Sequence, residues 1–218
     1  MSRMRMAVLA AVAVMAFATA PAFAMTIGGE VFGAFSTYSM NDWNDAIDQA
    51  NAGGSNFDDV KGGIGGGLGL RMWPNSNWML AATWEPMFES SKDDVTSQEL
   101  KLNGNSFQGT AGYFFPSTGP AKFGLGAGVG FYQLNGEISD PSQTIELKGN
   151  TVGFHFMGMM EWTVSPGFAI TGTGGYRVAN ISDTEVDGQS PNPKLETDYS
   201  GLMLRAGVAF YMPSASGQ

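Results

Sequence analysis

Alternation of apolar and polar residues divides the chain after residue 25 into eight segments. In the fifth segment Phe123, Leu125 and Val129 share one face, whereas glycines occupy the opposite face. Alternation with a period of two residues is typical of β-strands that bury or shield one face. The predicted strands lie near 26–38, 62–73, 78–90, 98–115, 122–138, 145–163, 168–182 and 198–212.

The connections between these strands alternate in length. Compact turn sequences rich in Pro and Gly occupy 74–77, 116–120 and 164–167, and the other four connections are longer and polar. Pro and Gly supply the backbone angles that tight reversals need. An even number of strands, with short turns on one side and long loops on the other, is the arrangement of an outer-membrane barrel. The sequence therefore predicts an all-β fold, an eight-stranded antiparallel up-and-down transmembrane β-barrel.

The apolar face of each strand carries no charge, and this decides which way the faces point. In the last strand Leu202, Leu204 and Phe210 share the apolar face, while Arg205 belongs to the other. A soluble barrel of the lipocalin type needs an apolar interior and a polar exterior. Here the uncharged face suits lipid, with aromatic residues near the strand ends as in membrane girdles. Closure of the sheet gives every backbone N–H and C=O group of the strands a hydrogen-bond partner, which the hydrocarbon core of a membrane cannot supply.

The first 24 residues have the features of a secretory signal peptide. Arg3 and Arg5 precede an apolar run over 6–18, and Ala22-Phe-Ala24 supplies a small-x-small cleavage site. We expect a signal peptide over 1–24, a barrel over 25–212 and a short tail over 213–218. The chain has no cysteine, so packing and backbone hydrogen bonds must hold it together outside the cytoplasm.

Charged residues are few, and the net charge differs between the long loops, the lumen and the short turns. Only 14% of the 218 residues are charged, against about 25% in soluble domains. Without residues 1–24 the net charge is −11, made of −12 in the long loops, a neutral lumen and Lys122 at the short turns. The inward-facing charged residues are Glu30, Arg71, Glu85, Glu161, Arg177 and Arg205.

These six residues predict an Arg/Glu network that closes the lumen, because an uncompensated charge in a narrow interior is costly. An eight-stranded barrel is only wide enough for side chains to fill it. Counting along the strands places Glu30, Arg71, Glu161 and Arg205 toward the short-turn half, with Glu85 and Arg177 higher. The network could be a structural plug or a gate.

The first long loop contains a short amphipathic helix over 41–50. Trp43 and Ile47 fall at helical spacing, Asn41 can cap the start, and Gly53-Gly54 can end it. An apolar stripe must be buried, and the barrel mouth is the nearest surface. The helix is therefore predicted to be a lid held by Trp43 and Ile47, or alternatively part of an external site for a ligand or partner.

Motifs for catalysis, cofactors or nucleic acids are not found in the sequence. His155 is the only histidine and faces the lumen, and there is no Gly-x-Ser-x-Gly sequence or cysteine nucleophile. The Gly-rich run over 124–130 has a period of two and no following helix, unlike a phosphate loop. We expect a non-enzymatic protein without a cofactor that does not bind nucleic acid. Acidic loop residues, among them Asp94, could bind divalent cations or bridge them to phosphorylated lipid.

The last strand, over 199–211, ends on Phe210-Tyr211 and is similar to the aromatic-ended signal read by the outer-membrane assembly machinery. With the signal peptide, eight strands and asymmetric loops, the chain resembles the small outer-membrane barrels that include the OmpA transmembrane domain, OmpX and OmpW. That class usually stops at the aromatic residue, whereas Met212 to Gln218 follow here. The resemblance implies a monomer in the outer membrane, in contact with its lipid and lipopolysaccharide.

Two functions follow from the resemblance and the charge pattern. The first is a structural or surface-interaction protein whose lumen is closed by the Arg/Glu network. The alternative is a narrow OmpW-like channel for small solutes, including apolar ones, with a lateral exit.

Overall fold

The computed structural model describes residues 25–93, 98–139, 143–192 and 194–212. The predicted signal peptide over 1–24, the tail over 213–218 and Asp94 lie outside the described residues.

Within these ranges the chain forms thirteen strands and one helix. Their bounds are β1 (Thr26–Thr37), α1 (Asn41–Ala52), β2 (Gly62–Trp73), β3 (Trp78–Met87), β4 (Ser90–Asp93), β5 (Gln98–Lys101), β6 (Gly104–Phe114), β7 (Ala121–Ser139), β8 (Thr144–Ser165), β9 (Phe168–Val178), β10 (Asn180–Ile181), β11 (Glu185–Val186), β12 (Thr197–Asp198) and β13 (Gly201–Tyr211).

Eight of these strands close into an antiparallel barrel. Around the ring the order is β1, β2, β3, β6, β7, β8, β9 and β13, and β13 pairs back to β1. Neighbours in the ring are consecutive long strands of the chain, so the topology is up-and-down. The predicted fold, including the helix in the first external loop, is confirmed. Among the described residues no helix is long and apolar enough to cross a membrane.

The predicted fourth strand, 98–115, is divided into β5 and β6. Both pieces pair with β7 in one continuous register, from Lys101↔Glu137 to Gly104↔Leu134. Between them the Asn135 backbone N–H of β7 donates to the Asn103 carbonyl at 2.8 Å, and the Leu102 N–H donates to the Glu89 carbonyl at 2.8 Å on the opposite side of the strand. Hydrogen bonding to β7 therefore continues through the gap between β5 and β6.

Side chains alternate between a lipid-facing exterior and a filled interior. On β2 Ile64 is 81% exposed and Leu70 66%, whereas Arg71, on the opposite face of the same strand, is 3% exposed. On the inward face Phe114 and Tyr132 are fully buried. The barrel is apolar outside and filled inside, which is the predicted orientation.

Buried apolar side chains form two clusters at different heights. One lies inside the barrel and contains Met79, Phe114, Met157, Met159 and Met203, with Trp73 at its edge. The other lies on the long-loop side of the barrel, where the loops meet the strand ends, and contains residues from α1, β5, β7, β8 and β10. We call this second cluster, with the loop segments that carry it, the external cap.

The seam between β2 and β3 has the shortest ladder of the barrel. Pairing within the described residues covers Leu68–Met72 opposite Leu80–Trp84 and ends there, although β2 continues to Gly62. Pro86 follows on β3 and has no N–H to donate. By comparison, β7 and β8 pair from Ala121↔Trp162 to Ser139↔Thr144.

A charge on the lipid face tests the orientation of the barrel. Ala127 faces outward on β7, midway between the exposed aromatics Phe123 and Phe131. Ala127→Arg is expected to lower the free energy of unfolding by about 2–4 kcal/mol, the cost of Arg at the bilayer midplane. Denaturant unfolding in lipid vesicles measures this loss. Ala127→Leu should be at least as stable as the wild type, and equal tolerance of Arg and Leu would contradict a lipid-facing position.

Candidate functional site

The inward charges form two ion-pair clusters at different heights in the lumen. In the lower cluster, near the short turns, Arg71 Nη1 lies 2.9 Å from Glu161 Oε2 and 3.8 Å from Glu30 Oε1. The Tyr211 hydroxyl donates to the same Glu161 oxygen, and Trp73 Nε1 donates to the Tyr211 hydroxyl at 3.3 Å. The C-terminal end of β13 is thereby hydrogen-bonded to β2 and β8 at the short-turn end of the lumen.

The upper cluster is built around one carboxylate. Glu85 accepts a hydrogen bond from Arg205 Nη2, and its other oxygen lies 3.9 Å from Arg177 Nη1. Arg205 Nη2 also donates to Gln108 Oε1 at 2.8 Å, and Arg177 Nε donates to the Tyr199 carbonyl at 2.9 Å. Glu85 is 2% exposed and Arg177 is fully buried.

The height predicted for Arg205 is wrong. Counting along the strands groups it with the short-turn half, whereas its guanidinium binds Glu85 of the upper cluster. Arg205 pairs in register with Ala34 and Thr173, near the middle of the barrel. Its side chain is long enough to reach the upper carboxylate from that height.

Aromatic rings complete the surroundings of the upper cluster. The Arg177 guanidinium lies 5.5 Å from the ring centres of both Tyr38 and Tyr132, and that of Arg205 lies 5.0 Å from the Phe32 ring. Ring faces attract a cation that has lost its water. They therefore help two arginines share a single carboxylate.

His155 lies beside the upper cluster. It is 2% exposed, and its Nε2 is 2.8 Å from Thr110 Oγ1. Space for the ring comes from Gly128 on β7, where an added Cβ would lie 2.5 Å from Nε2. The ring is packed into the wall of the lumen and is not open to solvent.

Methionines fill most of the remaining lumen. Met159 lies against the inner wall where Gly126 leaves room, since a Cβ there would lie 3.0 Å from its Sδ. With Met79, Met157, Met203 and Phe114 it forms the interior apolar cluster. Flexible thioether side chains suit an irregular space of this kind.

The external cap covers the other end of the lumen. Trp43 is 4% exposed and Ile47 5%, and the Trp43 Nε1 donates to Thr197 Oγ1 at 2.9 Å. Asp42 Oδ2 accepts a hydrogen bond from the Glu196 backbone N–H at 3.0 Å. The first and last external loops are thus joined across the mouth of the barrel.

The start of α1 differs from the prediction. Asn41 is the first helical residue, and the preceding Met40 occupies the cap position without a side-chain hydrogen bond. The Met40 side chain is 1% exposed within the cap, so burial takes the place of a polar cap. The helix ends at Ala52 before Gly53, and Gly54 has a φ of 107°.

Sequence reasoning did not single out Gln108 and Thr110. Both are buried on the inward face of β6, where they bind Arg205 and His155. The alternation of the same strand indicates them, because Phe107 and Tyr113 face outward. Uncharged polar residues on the inward face thus bind both a charged and a neutral side chain of the lumen.

The predicted cation binding by acidic loops stays a prediction. Among the described residues, no three His, Cys, Asp or Glu side chains come together closely enough to hold a metal ion.

Comparison with known proteins agrees with this geometry. Residues 5–210 match the family model of the outer membrane protein beta-barrel domain. The chain belongs to this family. Because this family consists of outer-membrane proteins, this protein is located in the outer membrane. No curated protein sequence matches the chain.

Solved structures of outer-membrane barrels share the fold at low sequence identity. A major outer membrane protein from Thermus thermophilus is 13% identical with a TM-score of 0.58, over 85% of this chain and 99% of that one. OprG from Pseudomonas aeruginosa is 11% identical with a TM-score of 0.55, over 86% and 95%. The N-terminal barrel domain of OprF from the same organism is 12% identical with a TM-score of 0.50, over 86% and 97%.

Removing the central carboxylate tests the upper cluster. Glu85→Gln leaves Arg177 and Arg205 buried without their shared counter-ion, so the free energy of unfolding is expected to fall by about 3–5 kcal/mol. Denaturant unfolding in vesicles measures the loss. Glu146→Gln, which breaks the exposed Glu146–Lys148 pair, is the matched control and should unfold like the wild type. Equal stability of the two variants would show that Glu85 carries no buried charge pair.

Glu89 makes stability depend on pH. It lies beyond the external end of β3, half-buried, and burial raises its pKa from the usual 4.5 to about 7. Between pH 4.5 and about 7 Glu89 is protonated in the folded protein but ionised in the unfolded chain, so the folded protein binds more protons. The stability that this protonated carboxyl contributes is therefore lost as the pH rises through about 7. Unfolding free energies measured from pH 4.5 to 8 should fall less in Glu89→Gln than in the wild type. Asp45→Asn, on the exposed side of α1, should keep the wild-type slope, and an unchanged slope in Glu89→Gln would contradict the assignment.

Proposed function

We propose that this protein is a non-enzymatic, monomeric outer-membrane barrel with a structural or surface-interaction role and a closed lumen. The observation that carries the proposal is the occlusion of the interior at three successive heights. These are the lower ion-pair cluster, the methionine-rich filling with the upper ion-pair cluster, and the external cap.

The spaces along the lumen support a closed interior. At the short-turn end a depression of about 380 Å³ ends at Trp73, Glu161 and Tyr211. Above it the interior leaves a cavity of only about 30 Å³. A solute larger than water would have to displace buried ion pairs to pass.

The closed interior also supports a non-enzymatic role. His155, the only histidine, is directed at Thr110 inside the wall and is shielded from solvent by the cap and the filling. A general base must come within hydrogen-bond reach of a substrate. The described arrangement offers a substrate no approach to this ring.

The external surface favours cationic or cation-bridged partners. Each described lysine on that side lies within 4 Å of an acid, in the pairs Lys61–Asp59, Lys92–Glu99, Lys101–Glu137, Lys148–Glu146 and Lys194–Asp183. The surplus of charge in the long loops is therefore negative. Phosphorylated outer-membrane lipid and lipopolysaccharide would contact these loops through divalent cations, and a nucleic acid would be repelled.

The last strand supports recognition by the outer-membrane assembly machinery. Phe210 is 54% exposed on the lipid face of β13, and the neighbouring Tyr211 is bound inside to Glu161. An aromatic side chain on the lipid face, at the C-terminal and short-turn end of the strand, is available before the barrel closes.

A narrow channel with a lateral exit is the second candidate function. The interrupted β2–β3 seam supports it, because wall strands that share few hydrogen bonds separate at lower cost. Outward separation at Gly62–Gly67 would give an apolar solute a route into the lipid.

Conductance and uptake separate the two functions. In planar bilayers we expect no channel openings from the wild type or from Arg205→Ala, because the methionine-rich filling stays in place when the ion pair is lost. Vesicles containing the wild type should take up an apolar fluorescent solute no faster than empty vesicles. Pro86→Val restores the missing N–H of the seam and serves as control. Uptake by the wild type that Pro86→Val abolishes would establish the lateral channel and overturn the structural role.

A further inference from the structure

A pocket opens on the outer surface of the barrel where the β2–β3 seam reaches the external loops. Its volume is about 490 Å³, and it is lined from the external end of β2, the segment after β3, and β5. Ile64 and Phe88 form its apolar side and are 81% and 55% exposed. Glu89, Ser90 and Lys101 belong to its polar side. This pocket, which we call the seam pocket, therefore joins the lipid face to the charged external surface.

Glu89 gives the seam pocket a negative charge that its lysine does not balance. Lys101 Nζ lies 3.3 Å from Glu99 Oε2 and 2.7 Å from Glu137 Oε1, so this lysine is already shared by two carboxylates. Burial alone raises the pKa of Glu89 to about 7, and its carboxylate is ionised at mildly alkaline pH. A cationic group in the pocket would supply the missing counter-ion.

The glycine at position 63 lets the Glu89 carboxylate lie against the backbone of β2. A Cβ added to Gly63 would lie 3.0 Å from Glu89 Oε2 and 2.4 Å from the Phe88 carbonyl oxygen. On its inner side Glu89 interacts electrostatically with the phenols of Tyr38 and Tyr199, and burial raises the pKa of both, so they stay neutral near pH 7. A ligand in the pocket would therefore meet the charge of Glu89 and the paired charges of β5.

An apolar furrow lies below the seam pocket on the lipid face of the same two strands. It begins at Leu68 and Trp84, four residues from Ile64 and Phe88, which is about 13 Å along each strand. The furrow has a volume of about 790 Å³, and Leu70 on its wall is 66% exposed. A linear alkyl chain whose headgroup lies in the seam pocket would reach it.

The chemistry of the pocket and the furrow together selects one class of ligand. An anionic headgroup would be repelled by Glu89. A metal ion prefers several oxygen ligands, and within the described parts of the chain no three acidic side chains gather to provide them. A neutral headgroup would leave the carboxylate without a counter-ion.

We propose that this outer surface binds an amphiphile with an ammonium headgroup. The ammonium lies in the seam pocket beside Glu89, and the alkyl chain lies along the furrow at Trp84. Both surfaces are on the outside of the barrel, so the proposal holds for a closed lumen and for a channel alike. Conductance measurements and the binding test below can fail independently of each other.

Fluorescence quenching by a brominated amphiphile tests the proposal, because Trp84 lines the furrow. The probe is dodecyltrimethylammonium with a bromine at the end of its chain, added to the full barrel in vesicles of a zwitterionic lipid at pH 8. We expect a saturable quenching component that is lost in Trp84→Phe. Saturable quenching that persists unchanged in Trp84→Phe would place the chain elsewhere and overturn the proposal.

Variants of the carboxylate test the headgroup. Glu89→Gln should weaken binding of the ammonium probe about fivefold, the effect of one lost ion pair at a partly exposed site. Binding of a brominated dodecanol, which carries no charge, should not change. Glu146→Gln removes another external carboxylate and is the matched control, which should bind the probe like the wild type. Equal affinity of Glu89→Gln and the wild type for the ammonium probe would overturn the proposal.

The pH dependence of binding provides a second test on the wild type. The probe keeps its charge at every pH, whereas Glu89, with a pKa of about 7, is mostly protonated at pH 6 and mostly ionised at pH 8. The affinity should therefore rise several-fold from pH 6 to pH 8, and a flat profile would overturn the proposal. If Glu89→Gln does not fold, Ser90→Lys at the exposed edge of the pocket replaces it, since the added ammonium should abolish binding of the probe.

Discussion

The absence of hydrogen-bonding solvent in hydrocarbon is the constraint from which the rest of this structure follows. Every backbone N–H and C=O that faces the bilayer has to find its partner within the chain, so the sheet closes on itself. The same requirement applies to side chains of the lumen. Three arginines and three glutamates remain there only because each lies within reach of an opposite charge.

Small residues make the closed interior possible. Glycines on the inner wall, such as Gly126 and Gly128, leave room for Met159 and His155, which then contact the wall directly. Large side chains projecting from one part of the ring occupy the space that small residues leave on another. Many of the 31 glycines of the chain therefore serve the filling of the barrel.

Alternation alone predicts most of the fold, because the period of a strand fixes which side each residue faces. It also identifies all six lumen charges and His155, and helical spacing identifies the buried face of α1. It does not predict the height of Arg205, since height depends on strand stagger and on the reach of a long side chain. It does not predict that Met40 replaces a polar helix cap, because the burial of Met40 comes from loops distant in sequence.

The hydrogen bond between Trp43 and Thr197 spans 154 positions of the chain, and the external cap draws on residues between Tyr38 and Tyr199. Contacts of such long range form only after the intervening segments are in place, since the entropy of closing the loop is lost first. All eight strands must cross the membrane before these loops meet on the same side. The complete cap therefore exists only in a barrel whose first and last strands have come together.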